Sequence, residues 1–368
     1  MIDRIERFAQ RIRENTWIDT RSLAFFRVLY GLAVLLFLRP SYAWLEGVPP
    51  TFFSPPLLSL ANLFDRFPPK TFFTTLNVLL ILFATLLTIG LRTRIAAFGL
   101  LSVMIIGNSF HFSLGKVDHP ILLLCVLISL SSSDWGEHFS VDALIDRGKA
   151  TVPNRTTDLA LLATIIAFAF ITAGFGKALV WLDFDFSTGG FLAWLLVKYH
   201  SASNTALLAT WAVNMPYRWL WEFADIFAVV FELGFFWALM RRKRWIVWVI
   251  IWCSFHIVNT LVLNLSFVMN AIVVLAFFPW SQLWAPGSKA QGLKYLALVL
   301  LGVGMIASTK PLHGLRRSVA QGLGVDPGDV TGAAHTIIWF GVMLLFVWLL
   351  RTPFVGTLPL GSKGRTTT

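Results

Sequence analysis

Apolar runs close to 20 residues recur along this chain, at about 23–39, 72–91, 95–114, 119–133, 158–180, 219–240, 245–263, 266–284, 292–309 and 335–352. A bilayer core about 30 Å thick takes roughly 20 apolar helical residues to cross, and lipid forces each crossing segment to satisfy its own backbone hydrogen bonds. The runs therefore predict an all-α, polytopic integral membrane bundle of about nine to ten transmembrane helices, the fourth short. Composition agrees, since only 13% of the 368 residues are charged, about half the share of a soluble domain. The stretch 188–213 is apolar but broken by Lys198, His200, Ser201, Ser203 and Asn204; it reads as a buried or re-entrant outer segment, or as one further span.

Charge sets the expected orientation. Ile2, Ile5, Phe8 and Ile12 repeat at helical spacing opposite Arg4, Arg7, Arg11 and Arg13, the pattern of a basic amphipathic helix on an anionic membrane face. With the amino end inside, 19 of the 30 Lys and Arg fall in inner segments and ten in outer ones, with Arg27 inside the first span. Positive-inside bias then puts both ends in the cytoplasm of a multi-pass protein of the cell (plasma or inner) membrane. The net charge of +11 is spread over short loops without the basic stripe that nucleic-acid binding needs, so the expected partner is the lipid bilayer and no nucleic acid. No cleavable signal peptide is expected. The organisation expected is a basic cytoplasmic helix over 1–22, a membrane domain over 23–285, additional transmembrane helices over 286–352 and a disordered cytoplasmic tail over 353–368. Pro49-Pro50, Pro55-Pro56 and Pro68-Pro69 stiffen the first outer loop, which is long enough to pack over the mouth of a cavity.

Ionisable groups within spans are costly and are candidates for function. In this topology Lys177, His111, Asp118 and His119 collect at the outer ends of spans, while His256 and Asn259 sit one turn apart in the outer half of the seventh. A partly desolvated lysine can serve as a general base, and Ala173, Gly174 and Gly176 around Lys177 allow close approach of a helix or a flat ligand. Lys177 snorkelling to the headgroups is the plainer alternative. Arg27 and Tyr30 read as structural, with Arg27 reaching the inner interface. Glu222, Asp225 and Glu232 in the sixth span either line a cavity or pair with a cation. Cys125 and Cys253 lie inside apolar runs and offer neither a disulfide framework nor a Cys-rich metal site. No nucleophile elbow or zincin spacing is present. A haem or metal centre on His111, His119 and His256 lacks a ligand spacing, and no metal is expected. A transporter would show inverted repeats or paired broken helices, and neither is visible.

Four stretches carry a resemblance: Arg27 to Gly31; Asp118-His119 followed by His138 to Leu144; Ile171 to Lys177; and Phe255 to Asn259. In this order the chain, over about residues 20–285, resembles the HTTM (horizontally transferred transmembrane) family and the membrane domain of vitamin K-dependent gamma-carboxylases. The resemblance implies that Lys177 deprotonates vitamin K hydroquinone or a related reduced quinone and that O2 adds to the anion. The basic oxygenated product then removes a gamma proton from a glutamate, CO2 traps the carbanion, and an epoxide remains. It further implies that His119 assists and that His256 lies on the helix facing the site; His256, Asn259, Asp118 and His111 are expected to bind the quinone, and the base acts on a glutamate of a secreted peptide or on another substrate. Family carboxylases carry Asn-Asn-His where this chain has Val117-Asp118-His119, and Gly176 replaces a second lysine. After residue 285 two more apolar runs stand where those carboxylases have a large extramembrane domain. The same resemblance also fits a non-catalytic HTTM membrane protein that assists maturation, export or immunity of a secreted peptide.

Overall fold

Helix starts and stops in this chain are set by a few polar residues between long apolar stretches. The computed structural model describes residues 2–38, 40–115, 117, 121–146, 156–183, 185, 189–201, 204–284, 291–309 and 312–352. The amphipathic α1 (Ile2–Thr16) ends in a three-residue strand, β1 (Trp17–Asp19), which pairs antiparallel with β2 (Thr156–Asp158). Asp19 then caps α2 (Thr20–Ala33) by accepting from the Ser22 N–H at 2.9 Å, a side-chain acceptor where the helix has none of its own. A π-helical turn over Val34–Leu38 prolongs α2.

The first loop is a string of short 3₁₀ turns that folds back over the far end of the helix at Thr93–His111. Its Ser54 N–H donates to Ser113 O at 2.7 Å, and Phe64, Phe72, Phe73 and Phe110 meet in edge-on contacts. Next come α3 (Lys70–Ile89), α4 (Thr93–His111), α5 (Ile121–Leu130), the short α6 (Val141–Ile145) and α7 (Ala160–Trp181). Gly90, at φ +72°, closes α3 in the left-handed conformation that ends many helices. The sequence permits nothing larger there: an added Cβ would lie 2.5 Å from the Arg27 Nη1 and 2.3 Å from the Ser140 Cβ.

The stretch after α7 makes no spanning helix among the described residues. It forms α8 (Gly190–Leu196), a π turn over Val197–Ser201 and α9 (Ala209–Val213). Asp225 anchors it, accepting from the backbone N–H groups of Gly190 and Phe191 at 2.7 Å each. Farther on, Leu208 N donates to Leu261 O, and the Asn204 side chain donates to Leu263 O.

The second half consists of α10 (Trp219–Leu233), α11 (Phe235–Ala238), α12 (Arg242–Leu263), α13 (Val268–Val274), α14 (Gln291–Ser308), α15 (His313–Leu323) and α16 (Pro327–Arg351). Asn264, left-handed at φ +50°, stops α12, while Asp326 and Pro327 start α16. Among the described residues six helices are long and apolar enough to cross a membrane: α3, α4, α7, α12, α14 and α16. The other apolar runs give α2 with its π turn, the ten-residue α5, α10 broken from α11 at Gly234, and α13 running into a 3₁₀ turn. The protein is thus an all-α, multi-pass membrane bundle with one short β-ribbon. The main apolar core runs from Ile12 in α1 to Leu349 in α16, so the last two spans belong to the same packing unit as the first, while Phe191, Leu195, Ala212, Trp221, Val262 and Leu263 form a smaller second cluster. Within the main core α12 and α16 are central, each with 56% of its apolar window buried, whereas α7 buries 22% and leaves most of its apolar surface exposed.

Candidate functional site

The largely exposed helix α7 carries the first cluster. Where α7 meets α10, Gly174 removes the side chain that would separate them: a Cβ there would stand 2.8 Å from the Cβ of Glu232. One turn further along α7, Lys177 Nζ forms an ion pair with Glu232 Oε1. The carboxylate is the buried member, its side chain 4% exposed against 26% for the lysine. Trp181, four residues on, lays its ring 5.3 Å from Nζ, a cation–π arrangement. Glu232 Oε2 is buried and has no hydrogen-bond partner among the described residues. Around this corner Phe175, Leu179 and Val180 are exposed, as an apolar helix in lipid should be. Among the described residues nothing lies within 4 Å of a Cβ built at Gly176.

His256 builds the second cluster, deep in the bundle. Its Nε2 lies 3.3 Å from the Asn270 Nδ2 of α13. Trp339 of α16 covers the ring at 4.6 Å between centroids, and Phe267 and Phe255 flank it at 5.1 and 5.7 Å. Asn259, one turn along α12, is buried, and its backbone carbonyl accepts from Leu265 N and from the Asn264 cap. Aromatic rings join the two clusters. Phe231, next to Glu232, lies 5.1 Å from Phe255, which neighbours His256. Neither Asn270, Trp339 nor Trp181 was conspicuous in the sequence, although an Asn within an apolar run and a Trp four residues after a lysine are the signals that point to them.

His111 sits elsewhere, at the end of α4, with its ring against Trp44 of the first loop at 5.9 Å and against Phe112 at 5.6 Å. Asp118 and His119 lie outside the described residues. Among the described residues no group of three or more His, Cys, Asp and Glu gathers where a metal ion would sit.

The segment His138 to Leu144 lies at the end of the bundle where α3 turns into α4. Arg27, fully buried in α2, donates from Nη1 to Trp135 O at 3.2 Å and from Nη2 to Phe139 O at 2.5 Å. Asp142 accepts from the Arg92 and Thr93 N–H groups and from the Thr93 hydroxyl, all at 2.8 Å, which caps the start of α4. Burial favours the neutral acid at Asp142, but the Thr93 and Arg92 donors and the Arg27 charge outweigh it and hold the carboxyl below its ordinary value. Burial also pushes the His138 ring down, with Arg21 adding to the effect and Asp19 opposing it. An open cleft of about 1420 Å³ lies beside this joint, lined by Arg21, Arg92, Asp134, His138 and Asp142 among others. Because Arg27 and Asp142 are engaged with loop carbonyls and a helix cap, this end of the molecule reads as a structural joint.

The α7–α10 corner brings together a set of groups suited to chemistry. It offers an ammonium, a buried carboxylate oxygen with spare acceptor capacity, and a flat indole, all beside exposed apolar surface. A flat, lipid-soluble molecule with an acidic hydroxyl suits that set: the oxygen accepts its proton and the ammonium holds the resulting charge. No family model, curated protein or solved structure matches the chain.

Proposed function

We propose that this protein is a membrane enzyme resembling the vitamin K-dependent gamma-carboxylases, with its site toward the outer leaflet and both chain ends cytoplasmic. The observation that carries the reading is the Lys177–Glu232 pair, held on a helix whose apolar surface is mostly exposed. A reduced quinone such as vitamin K hydroquinone is the co-substrate, entering from the bilayer, and its oxidation by O2 to an epoxide supplies the strong base for carboxylation with CO2. Lys177 and its carboxylate initiate removal of the hydroxyl proton, and the Trp181 ring offers a face for an aromatic nucleus to stack on. His119 acts as a proton or hydrogen-bond partner, and His256 with Asn259 contributes to the wall. A glutamate of a secreted peptide is the acceptor.

The test is epoxide formation by the purified protein given vitamin K hydroquinone and O2, followed by mass spectrometry in wild type and Lys177→Ala. Loss of a general acid–base group of this kind lowers turnover by roughly 100-fold or more. Equal epoxide from both proteins removes the core of the proposal. Absence of quinone binding in folded protein transfers the assignment to a non-catalytic partner in peptide maturation.

A further inference from the structure

An ammonium has three donors and no lone pair, so a lysine held in an ion pair cannot itself take a proton. The acceptor lone pairs at the α7–α10 corner belong to Glu232. One of its oxygens is engaged by Lys177, and the other, Oε2, is buried with no hydrogen-bond partner among the described residues. Gly174 fixes this carboxylate against α7, and the Glu232 side chain is 4% exposed.

Resting on the function proposed above, we infer that Glu232 is the catalytic residue that receives the proton of the quinol hydroxyl, while Lys177 remains an ammonium and pairs with the oxygen left behind. In this step the O–H bond of the substrate breaks and its electron pair stays on the substrate oxygen. A new O–H bond forms at Glu232, and nothing is oxidised or reduced. The corner begins as carboxylate plus ammonium and ends as neutral acid, ammonium and substrate oxyanion, so its net charge does not change. That matters in an apolar site, where an uncompensated charge is costly.

The experiment adds vitamin K hydroquinone without O2 to the full-length protein in nanodiscs and records infrared difference spectra, so that the reaction stops after proton transfer. A band from a newly protonated carboxylic acid is expected in wild type and absent in Glu232→Gln. With O2 admitted, Glu232→Gln should form epoxide about 100-fold more slowly while still binding quinone. Lys177→Arg, whose guanidinium stays charged, should turn over well above Lys177→Ala, because the cation is needed only to hold charge. Wild-type epoxide without the carboxylic acid band overturns the inference and leaves the quinol reading standing, as does full activity in Glu232→Gln. Quinone-bound wild type that yields neither band nor epoxide overturns both.

Discussion

Replacing Arg27 by Met tests how α2 is held to the loop that carries Trp135 and Phe139. The methionine refills much of the volume of the arginine stem but removes two charged donors from the carbonyls of Trp135 and Phe139. A hydrogen bond from a charged group contributes about 1.5–3 kcal/mol, which puts the gross loss near 3–6 kcal/mol for the pair. The dehydration cost of a buried guanidinium disappears in the variant and offsets part of this. The Trp135 carbonyl, however, is buried and left without its donor, while the Phe139 carbonyl is only partly buried and can turn to water. A net destabilisation of about 3 kcal/mol follows. Arg27→Lys should fall between the two, because a single point charge cannot reproduce the fork that reaches both carbonyls. Equilibrium unfolding in mixed micelles measures the loss, and hydrogen exchange localises it to residues 134–146. A variant as stable as wild type, with unchanged exchange in that loop, would refute the argument; full retention in Arg27→Lys would show that charge alone suffices.

Two further outcomes follow from caps at other helix starts. Asp142, whose carboxyl is held below its ordinary value, contributes stability that is fully present above a carboxylate pKa of about 4 and is lost as pH falls through its lower folded-state value. Asp142→Asn should therefore be less stable at neutral pH and converge with wild type in acid; parallel stability curves would contradict the assignment. Asp225→Asn keeps one acceptor for the Gly190 and Phe191 N–H groups and loses the other. It should weaken the α8 anchor by about 1.5–3 kcal/mol and admit protease between α7 and α8, with no change in cleavage around α12.

The apolar runs announced helices well, because lipid leaves a chain segment of that length little choice. Where the helices break was less legible. The run at 219–240 contains Gly234, and only packing decided that α10 would stop there and α11 resume. The run at 266–284 likewise gives a seven-residue helix followed by 3₁₀ turns. The ribbon of Trp17–Asp19 with Thr156–Asp158 carries no strand pattern, since three residues are too few to show alternation. At the site, Lys177 stood out as an ionisable group in a span, but Glu232 was one of three acids with two open roles. Its pairing depends on the rotation of α10 against α7 across 55 residues of chain, which spacing along either helix does not encode. The glycine three positions before Lys177 was the local clue, since it permits the contact without naming the partner. Arg27 told a similar story: its charge in an apolar run marked it, while its carbonyl partners lie more than 100 residues away.

The indole of Trp339 lies over His256, and this imposes an order on biogenesis. α12 leaves the ribosome before α16 has been made, so for that interval an imidazole in the middle of a span lacks the ring that later shields it. The nascent bundle must keep that face from lipid, by lingering at the insertion machinery or by provisional packing against α13, until α16 arrives. A chain stopped short of Trp339 would keep the same scar permanently, a polar surface at membrane depth of the kind by which quality control can recognise an unfinished protein.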